Sequence, residues 1–199
     1  MEKNKADRVR TYWYVINELF TVPYLPNPRY EKERFIKIYA DETNINKDEL
    51  LNLPDDNIIK YYNDSIKWMK TIQSEAKLWK RLQRHFETNN NRLQFRRAGS
   101  LKINIVKQVF DGEKGVDVTL ATDMIVLSDM YDVAIIVSGD QDYLSAVKRL
   151  KEKGKWVVNV SFLDASGSVL PGGATRLNEH TDWFYLIDFE TVNRFLHIV

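Results

Sequence analysis

Val133–Val137 is a short, continuous and largely β-branched apolar run that ends abruptly in the polar sequence Ser-Gly-Asp-Gln-Asp. Such a run is typical of a strand buried on both faces of a parallel sheet. The polar sequence places Asp140 and Asp142 at the carboxyl end of that strand, which is the edge of an open α/β sheet where ligands bind. We therefore expect the chemistry of this chain at that edge, with the stretch Gly112–Tyr143 supplying a loop, a helix, the strand and an acidic turn in that order.

The helix predicted before this strand carries an aspartate on its apolar side. At about 100° per residue, Asp117 lies between two rows of apolar side chains. These rows are Leu120, Met124, Leu127 and Tyr131 on one side, and Val118, Ala121 and Ile125 on the other. A carboxylate in the middle of an apolar face costs several kcal/mol unless it is paired, hydrogen-bonded or bound to a metal. Asp123 falls near the margin of the same face.

These carboxylates suggest a cation site. Asp117, Asp140 and Asp142 can converge at the sheet edge, with Asp123 as a possible fourth member. Clustered oxygen ligands without Cys or His at metal-binding spacing suit Mg²⁺ or Mn²⁺ rather than zinc. Structural roles compete with this interpretation, because Asp117 can cap its helix or interact with the helix dipole, and Asp142 can cap a helix over Tyr143–Lys153.

Several segments together resemble the NYN domain, in the LabA-like branch of the PIN-like nuclease superfamily. They are KGVDVTLATDM, YDVAIIVSGDQDY, and a helix ending in KEKGK that is followed by an apolar strand. The resemblance covers roughly Arg96 to Phe162, and TRLNEHTDWFYLID resembles the tail that often follows in these proteins. It implies a doubly wound α/β fold, with a mainly parallel sheet and helices on both faces.

The same resemblance implies an activity and a set of site residues. The activity is that of a divalent-metal-dependent endoribonuclease, a hydrolase that uses Mg²⁺ or Mn²⁺. Asp117, Asp140 and Asp142 match the acidic positions of the family, and Asp123 matches a further acidic position on its helix. The alternative is a catalytically inactive NYN-like module that binds RNA or protein.

One part of the family pattern is missing. NYN domains normally begin with a strand that runs into an Asp-Gly-x-Asn turn, whose aspartate is a metal ligand. Val9–Ile16 can align with that first strand, which would put Asn17 at the place of the aspartate. We prefer to align it with the second strand, because a long helical segment and then another strand follow, as in the family. We therefore expect one NYN domain over residues 1–199, incomplete at its N-terminus.

Composition sets further limits. With 199 residues, 44% of them hydrophobic, the chain can bury one sizeable core and is short for two domains. The absence of cysteine excludes disulfides, thiol nucleophiles and thiolate metal sites. We find no signal peptide and no apolar run long enough to span a membrane, so we expect a cytoplasmic protein. Homo-oligomerisation is left open.

Basic residues are concentrated in one part of the chain even though lysine and arginine together number 29 against 28 acidic residues. Glu87 is the only acid between Lys77 and Lys107. Interleaved with Trp79, Phe86 and Phe95, such cations suit a groove that holds single-stranded RNA by its phosphates and stacks its bases. The candidates for RNA binding are Arg96, Arg97, Lys102, Lys107 and Lys114. A solvated basic face is the alternative.

The pattern of the remaining segments predicts the elements around this centre. We predict strands over Arg10–Ile16, Leu93–Arg97, Leu101–Val109 after a break at Gly99, Trp156–Phe162 and Asp182–Ile187. We predict helices over Tyr30–Ala40 and Lys47–Leu53, a long helix from Asp55 or Asp56, and a closing helix over Phe189–Ile198. The long helix carries a stripe that should pack in the core, namely Tyr62, Ile66, Met69, Gln73, Ala76, Trp79, Leu82 or Gln83, and Phe86.

Overall fold

The computed structural model describes residues 8–170 and 174–196, and these residues form an α/β protein with two mixed sheets. The chain divides into two compact units, Met1–Val116 and Asp117–Val199, which we call the N-terminal and C-terminal units. The expectation of one domain over the whole chain stays a prediction. None of the helices among the described residues combines the length and the hydrophobicity of a membrane span.

The N-terminal unit is built on a sheet in which the strand order is β1-β2-β3. Its elements are β1 (Thr11–Val22), α1 (Pro28–Thr43), α2 (Lys47–Leu51), α3 (Asp55–Asn89), β2 (Leu93–Asn104) and β3 (Val109–Lys114). β1 and β2 are parallel, and β2 and β3 form an antiparallel hairpin with an irregularity between Leu101 and Ile103. The core below this sheet contains Phe35, Ile36 and Ile103, all fully buried.

β2 passes through Gly99 without a break, so the predicted division into two strands was wrong. Gly99 has a φ of +66°, and a Cβ atom there would lie 2.4 Å from the carbonyl oxygen of Lys114 on β3. Only glycine fits this close approach, and the residue therefore marks a contact between strands rather than a strand end. The structure also ends β2 at Asn104, and β3 occupies Val109–Lys114, where we expected the end of a strand followed by a loop.

α3 follows the predicted core stripe only in part. Tyr62 and Met69 of the stripe pack against the core, but so do Ile58 and Trp68, which the predicted stripe did not include. Further along, Trp79 and Phe86 are 63% and 54% exposed, so the prediction that they are core residues was wrong. A helix of 35 residues is about 50 Å long at 1.5 Å per residue. The core of this unit is too small to cover that length.

The C-terminal unit contains a second sheet, in which β5 is central. Its elements are α4 (Val116–Val126, which begins at the unit boundary), β4 (Val133–Val137), α5 (Leu144–Glu152), β5 (Trp156–Leu163), β6 (Val169–Leu170), α6 (Ala174–Asn178), β7 (Trp183–Ile187) and α7 (Phe189–Leu196). β4 and β7 both pair with β5 in parallel, whereas the short β6 pairs with β5 antiparallel. The last part of the predicted closing helix, residues 197 and 198, lies outside the described residues.

β4 occupies the residues predicted for it, but it is not buried on both faces. Ile136 is buried against Val147, Leu150 and Leu177, whereas Ile135 on the opposite face is 63% exposed. The expectation of two covered faces was wrong because β4 pairs only with β5 among the described strands, and the core cluster of this unit lies on the Ile136 side. The continuous apolar run thus predicted the residues of β4 correctly, but it did not predict that one face of the strand is exposed.

Asp182 joins the start of β7 to the start of β5. Its carboxylate accepts hydrogen bonds from the Val157 amide at 2.8 Å and lies 3.0 Å from the Lys151 ammonium. Partial burial acts to raise the pKa of Asp182, but the hydrogen bond from Val157 and the interaction with Lys151 outweigh it, so the pKa lies below its usual value. The ionised Asp182 side chain therefore helps to hold the start of β7 beside the start of β5.

Candidate active site

The turn after β4 is held by its own polar side chains. The Ser138 hydroxyl accepts a hydrogen bond from the Asp140 amide at 3.1 Å. Asp140 Oδ1 in turn accepts from the Asp142 amide at 2.8 Å, which makes Asp140 the N-cap of a 3₁₀ turn over Gln141–Tyr143. A capping role does exist here, but it belongs to Asp140 and not to Asp142, which is exposed. One oxygen of Asp140 is thereby held at a fixed place beside the end of β4.

Tyr143 connects this turn to the helix before β4. Its side chain is 3% exposed, and its hydroxyl donates a hydrogen bond of 2.5 Å to Asp117 Oδ1 in the first turn of α4. The structure therefore brings Asp117 and the Asp140–Asp142 turn to the two ends of one tyrosine side chain. We had interpreted Tyr143 only as the beginning of a helix. The sequence signal for this contact was the position of Tyr143 directly after Asp142, where the chain re-enters the core of the C-terminal unit.

Asp117 and Asp123 differ from what the helical wheel suggested. Asp117 is exposed rather than set in the middle of the apolar face, because it lies in the first turn of α4, while Leu120 and Met124 beyond it pack against the core. Asp123 is partly buried, and six residues of helix separate it from Asp117, or about 9 Å along the axis. It is therefore displaced from the point where Tyr143 holds Asp117.

The carboxylates at the turn have the chemistry of a hard-cation site without forming a closed cage. Among the described residues, no three His, Cys, Asp or Glu side chains lie close enough together to hold a metal ion. Asp117 and Asp140 each use one oxygen in the hydrogen bonds described above, and each has a second oxygen. Mg²⁺ is commonly held by one or two carboxylates together with water and substrate phosphates. By the chemistry of its donors, this set fits such an ion.

α6 places an arginine beside the same turn. Arg176 Nη1 lies 3.3 Å from Gln141 Oε1, and Gln141 stands between the two aspartates of the turn. Sequence reasoning missed Arg176, since 35 residues separate it from Gln141 and no motif connects them. The contact arises only when α6 packs on the sheet.

The five basic residues predicted to bind RNA all belong to the N-terminal unit. Three of them pair with carboxylates, namely Arg97 with Glu87 at 3.5 Å, Lys102 with Asp111 at 2.6 Å, and Lys107 with Glu42 at 3.1 Å. Arg96 lies over the ring of Tyr12, 4.7 Å from its centroid, and Lys114 is exposed at the end of β3. Because neighbouring residues of a strand point to opposite faces, Arg96 and Arg97 do not line one groove together.

These ion pairs change the carboxylates that take part in them. The hydrogen bond from the Lys102 ammonium holds the pKa of Asp111 below its usual value. A hydrogen bond from Asn104, with a further contribution from Lys107, lowers the pKa of Glu42. Much of the positive charge in this part of the chain is thus already matched by acidic groups, and RNA would have to compete with them.

Comparison with known families gives a match to the NYN domain over residues 36–177. This span is well over half of the 199-residue chain. The chain belongs to the NYN domain family. Neither the curated proteins nor the solved structures contain a match to it.

NYN domains are of the PIN-like nuclease type, generally act in association with RNA and generally use divalent metals. The part of this NYN domain covered by the match includes Asp117, Asp123, Asp140, Asp142 and Arg176, whereas β1 precedes it. The match therefore spans both the acidic turn and the α6 arginine.

Proposed function

We propose that this NYN domain is a divalent-metal-dependent ribonuclease that hydrolyses RNA phosphodiester bonds at the turn after β4. Asp117, Asp140 and Asp142 would hold Mg²⁺ or Mn²⁺, with Asp123 in a supporting role. The proposal combines membership of a nuclease-type family with hard oxygen donors in and beside the turn after β4. For the fold of this NYN domain we propose the doubly wound, mainly parallel arrangement that the family resemblance implies.

The observation that carries this proposal is the hydrogen bond from the Tyr143 hydroxyl to Asp117. Asp117 and Asp142 are 25 residues apart in the sequence, yet a buried tyrosine next to Asp142 contacts the Asp117 carboxylate directly. A hydrogen bond to a carboxylate is one of the stronger polar interactions in proteins. Tyr143 therefore places Asp117 near the turn.

The other residues of the turn have separable tasks. Asp140 is fixed by the cap it makes, so its second oxygen is oriented by the backbone of the turn. Asp142 is exposed and can move to meet an incoming group. A bound divalent cation would supply a water of lowered pKa for attack on phosphorus and would neutralise charge on the leaving oxygen.

Single-stranded RNA is the proposed substrate. A single strand exposes its phosphates and its bases together, and the N-terminal unit offers both cations and exposed rings such as Trp79 and Phe86. Arg97, Lys102 and Lys107 each pair with a carboxylate, whereas Lys114 is exposed at the end of β3. We therefore propose a larger share of phosphate contacts for Lys114 than for these three, and Arg96 stays a proposed RNA-binding residue.

The test is cleavage of a labelled mixed-sequence single-stranded RNA in Mn²⁺ or in EDTA. Asp140→Asn is the informative variant, since asparagine caps a turn as well as aspartate does but carries no charge. We expect it to reduce Mn²⁺-dependent cleavage by at least about 10–100-fold, the loss that residues supporting a metal ligand already produce.

The matched control is Asp132→Asn. Asp132 directly precedes β4, at the opposite end of the strand from the turn, and its side chain is 98% exposed. This variant should cleave like the wild type. Equal cleavage by both variants, or none by the wild type in Mn²⁺, would contradict the proposal. RNA binding without any cleavage would favour the inactive binding module.

A further inference from the structure

Arg176 is held beside the acidic turn by a helix that is anchored in the core. Ala174 and Leu177 of α6 are fully buried, and Asn178 is 8% exposed. Asn178 Oδ1 accepts a hydrogen bond from Asn159 Nδ2 at 2.7 Å and lies 3.3 Å from the Ser161 hydroxyl, and both partners are buried residues of β5. Buried hydrogen bonds of this kind fix the position of a short helix. The guanidinium of Arg176 is therefore presented from a rigid base.

The guanidinium has more donors than its protein contacts use. It carries five N–H groups, and the described contact is the one from Nη1 to Gln141 Oε1. Within residues 8–170 and 174–196, no carboxylate lies within ion-pair distance of Arg176. The side chain is exposed, so its other donors face solvent beside Asp140 and Asp142.

A phosphate is the group that this arrangement suits. The phosphates of RNA are repelled by a turn with two aspartates, and a cation beside the turn reduces that repulsion. The planar guanidinium matches two oxygens of one phosphate, whereas an ammonium offers a point charge. We propose that Arg176 binds the non-bridging oxygens of an RNA phosphate at the turn after β4. This inference rests on the proposed function only in taking RNA as the ligand, and it does not require that the chain cleaves it.

The experiment measures binding and not cleavage. The probe is a 5′-fluorescein-labelled, mixed-sequence, single-stranded RNA of about 20 nucleotides, which is longer than the roughly 4–16 nucleotides that OB folds, another class of single-strand binder, cover. The fluorescence anisotropy of the full chain with this probe is recorded in EDTA between about 50 and 200 mM salt, the range over which phosphate contacts change affinity strongly. Arg176→Gln should raise Kd several-fold and make the slope of log K against log salt shallower by about 0.7, the value for one phosphate contact on a single strand.

Three further variants serve as controls for the binding measurement with Arg176→Gln. Arg149→Gln removes an exposed arginine of α5 that pairs with Glu152, and it should leave both Kd and slope unchanged. Arg176→Lys should retain the slope while losing part of the affinity. Gln141→Ala should behave like the wild type, because the proposed contact runs from Arg176 to RNA and not through Gln141. Circular dichroism and thermal unfolding confirm that each variant is folded.

The outcomes separate this inference from the proposed function. A changed slope in Arg176→Gln supports the phosphate contact even if the wild type does not cleave RNA. Cleavage by the wild type together with unchanged Kd and slope in Arg176→Gln would overturn the phosphate contact and leave the nuclease intact. Equal losses in Arg176→Gln and Gln141→Ala would also overturn it, since the arginine would then act only by positioning the turn. So would a wild type that does not bind the probe.

Discussion

The hydrogen bond between Tyr143 and Asp117 should be measurable as a coupling free energy. A hydrogen bond to a charged group contributes about 1.5–3 kcal/mol. Tyr143 is 3% exposed, but Asp117 is exposed, so water can replace the hydroxyl at the carboxylate once the tyrosine is changed. We therefore expect a coupling near the lower limit, about 1–1.5 kcal/mol.

A double-mutant cycle isolates that coupling. Tyr143→Phe retains the buried ring and removes only the hydroxyl, and Asp117→Ala removes the carboxylate. The free energy of unfolding of the wild type, the two single variants and the double variant is measured by urea denaturation in EDTA. The sum of the losses in free energy of unfolding in the two single variants should exceed the loss in the double variant by the coupling free energy. The m values should stay constant.

Tyr131 supplies the control for the cycle. Its hydroxyl donates to the Met124 carbonyl, and burial raises its pKa to about 12. It is a second tyrosine, partly buried and packed against the same cluster, and its described hydrogen bond does not involve Asp117. The losses in Tyr131→Phe and Asp117→Ala should add within about 0.3–0.5 kcal/mol. If Tyr143→Phe and Asp117→Ala are equally additive, Tyr143 does not hold Asp117 and the proposed placement of that carboxylate loses its main support.

Two further predictions concern the sheets. Because the pKa of Asp182 is lowered, its contribution to stability is complete above its unfolded pKa of about 3.9 and is lost as pH falls through the folded value. Asp182→Asn should therefore lower the free energy of unfolding at pH 7 and make it depend less on acid pH. Urea denaturation between pH 7 and pH 2 measures both effects. Gly99→Ala should destabilise the chain by more than the 1–2 kcal/mol of left-handed strain alone, because its Cβ meets the Lys114 carbonyl, whereas Gly167→Ala, with open space around it, should show only the strain. Equal losses of stability would contradict the steric argument.

The sequence predicted local structure well because local structure depends on neighbouring residues. Val133–Val137 is a strand over the predicted residues, and the turn after it carries Asp140 and Asp142 as expected. Burial was predicted less well. An apolar run indicates that both faces of a strand are able to be buried, but their actual burial depends on which elements pack against them. In the described structure Ile135 is exposed. The exposed Trp79 on α3 has the same origin, since helical periodicity cannot report where the core ends.

The contacts that define the candidate site are the ones that sequence patterns could not supply. Tyr143 reaches Asp117 across 26 residues, and Arg176 reaches Gln141 across 35. Neither pair has a spacing set by a helix or a strand, so no periodicity reveals it. Both depend on the packing of α4, the turn and α6 around β4 and β5, and this packing is a property of the folded unit.

The structure also shows why residue type alone left the roles of the aspartates open. Asp140 caps the 3₁₀ turn over Gln141–Tyr143, but a cap uses one oxygen and needs no charge, as asparagine caps equally well. A cation site would need the charge and the second oxygen. The two roles are therefore compatible in one side chain, and they separate only in the response to Asp140→Asn: a structural cap predicts an unchanged protein, whereas a ligand predicts a folded protein that no longer responds to Mn²⁺.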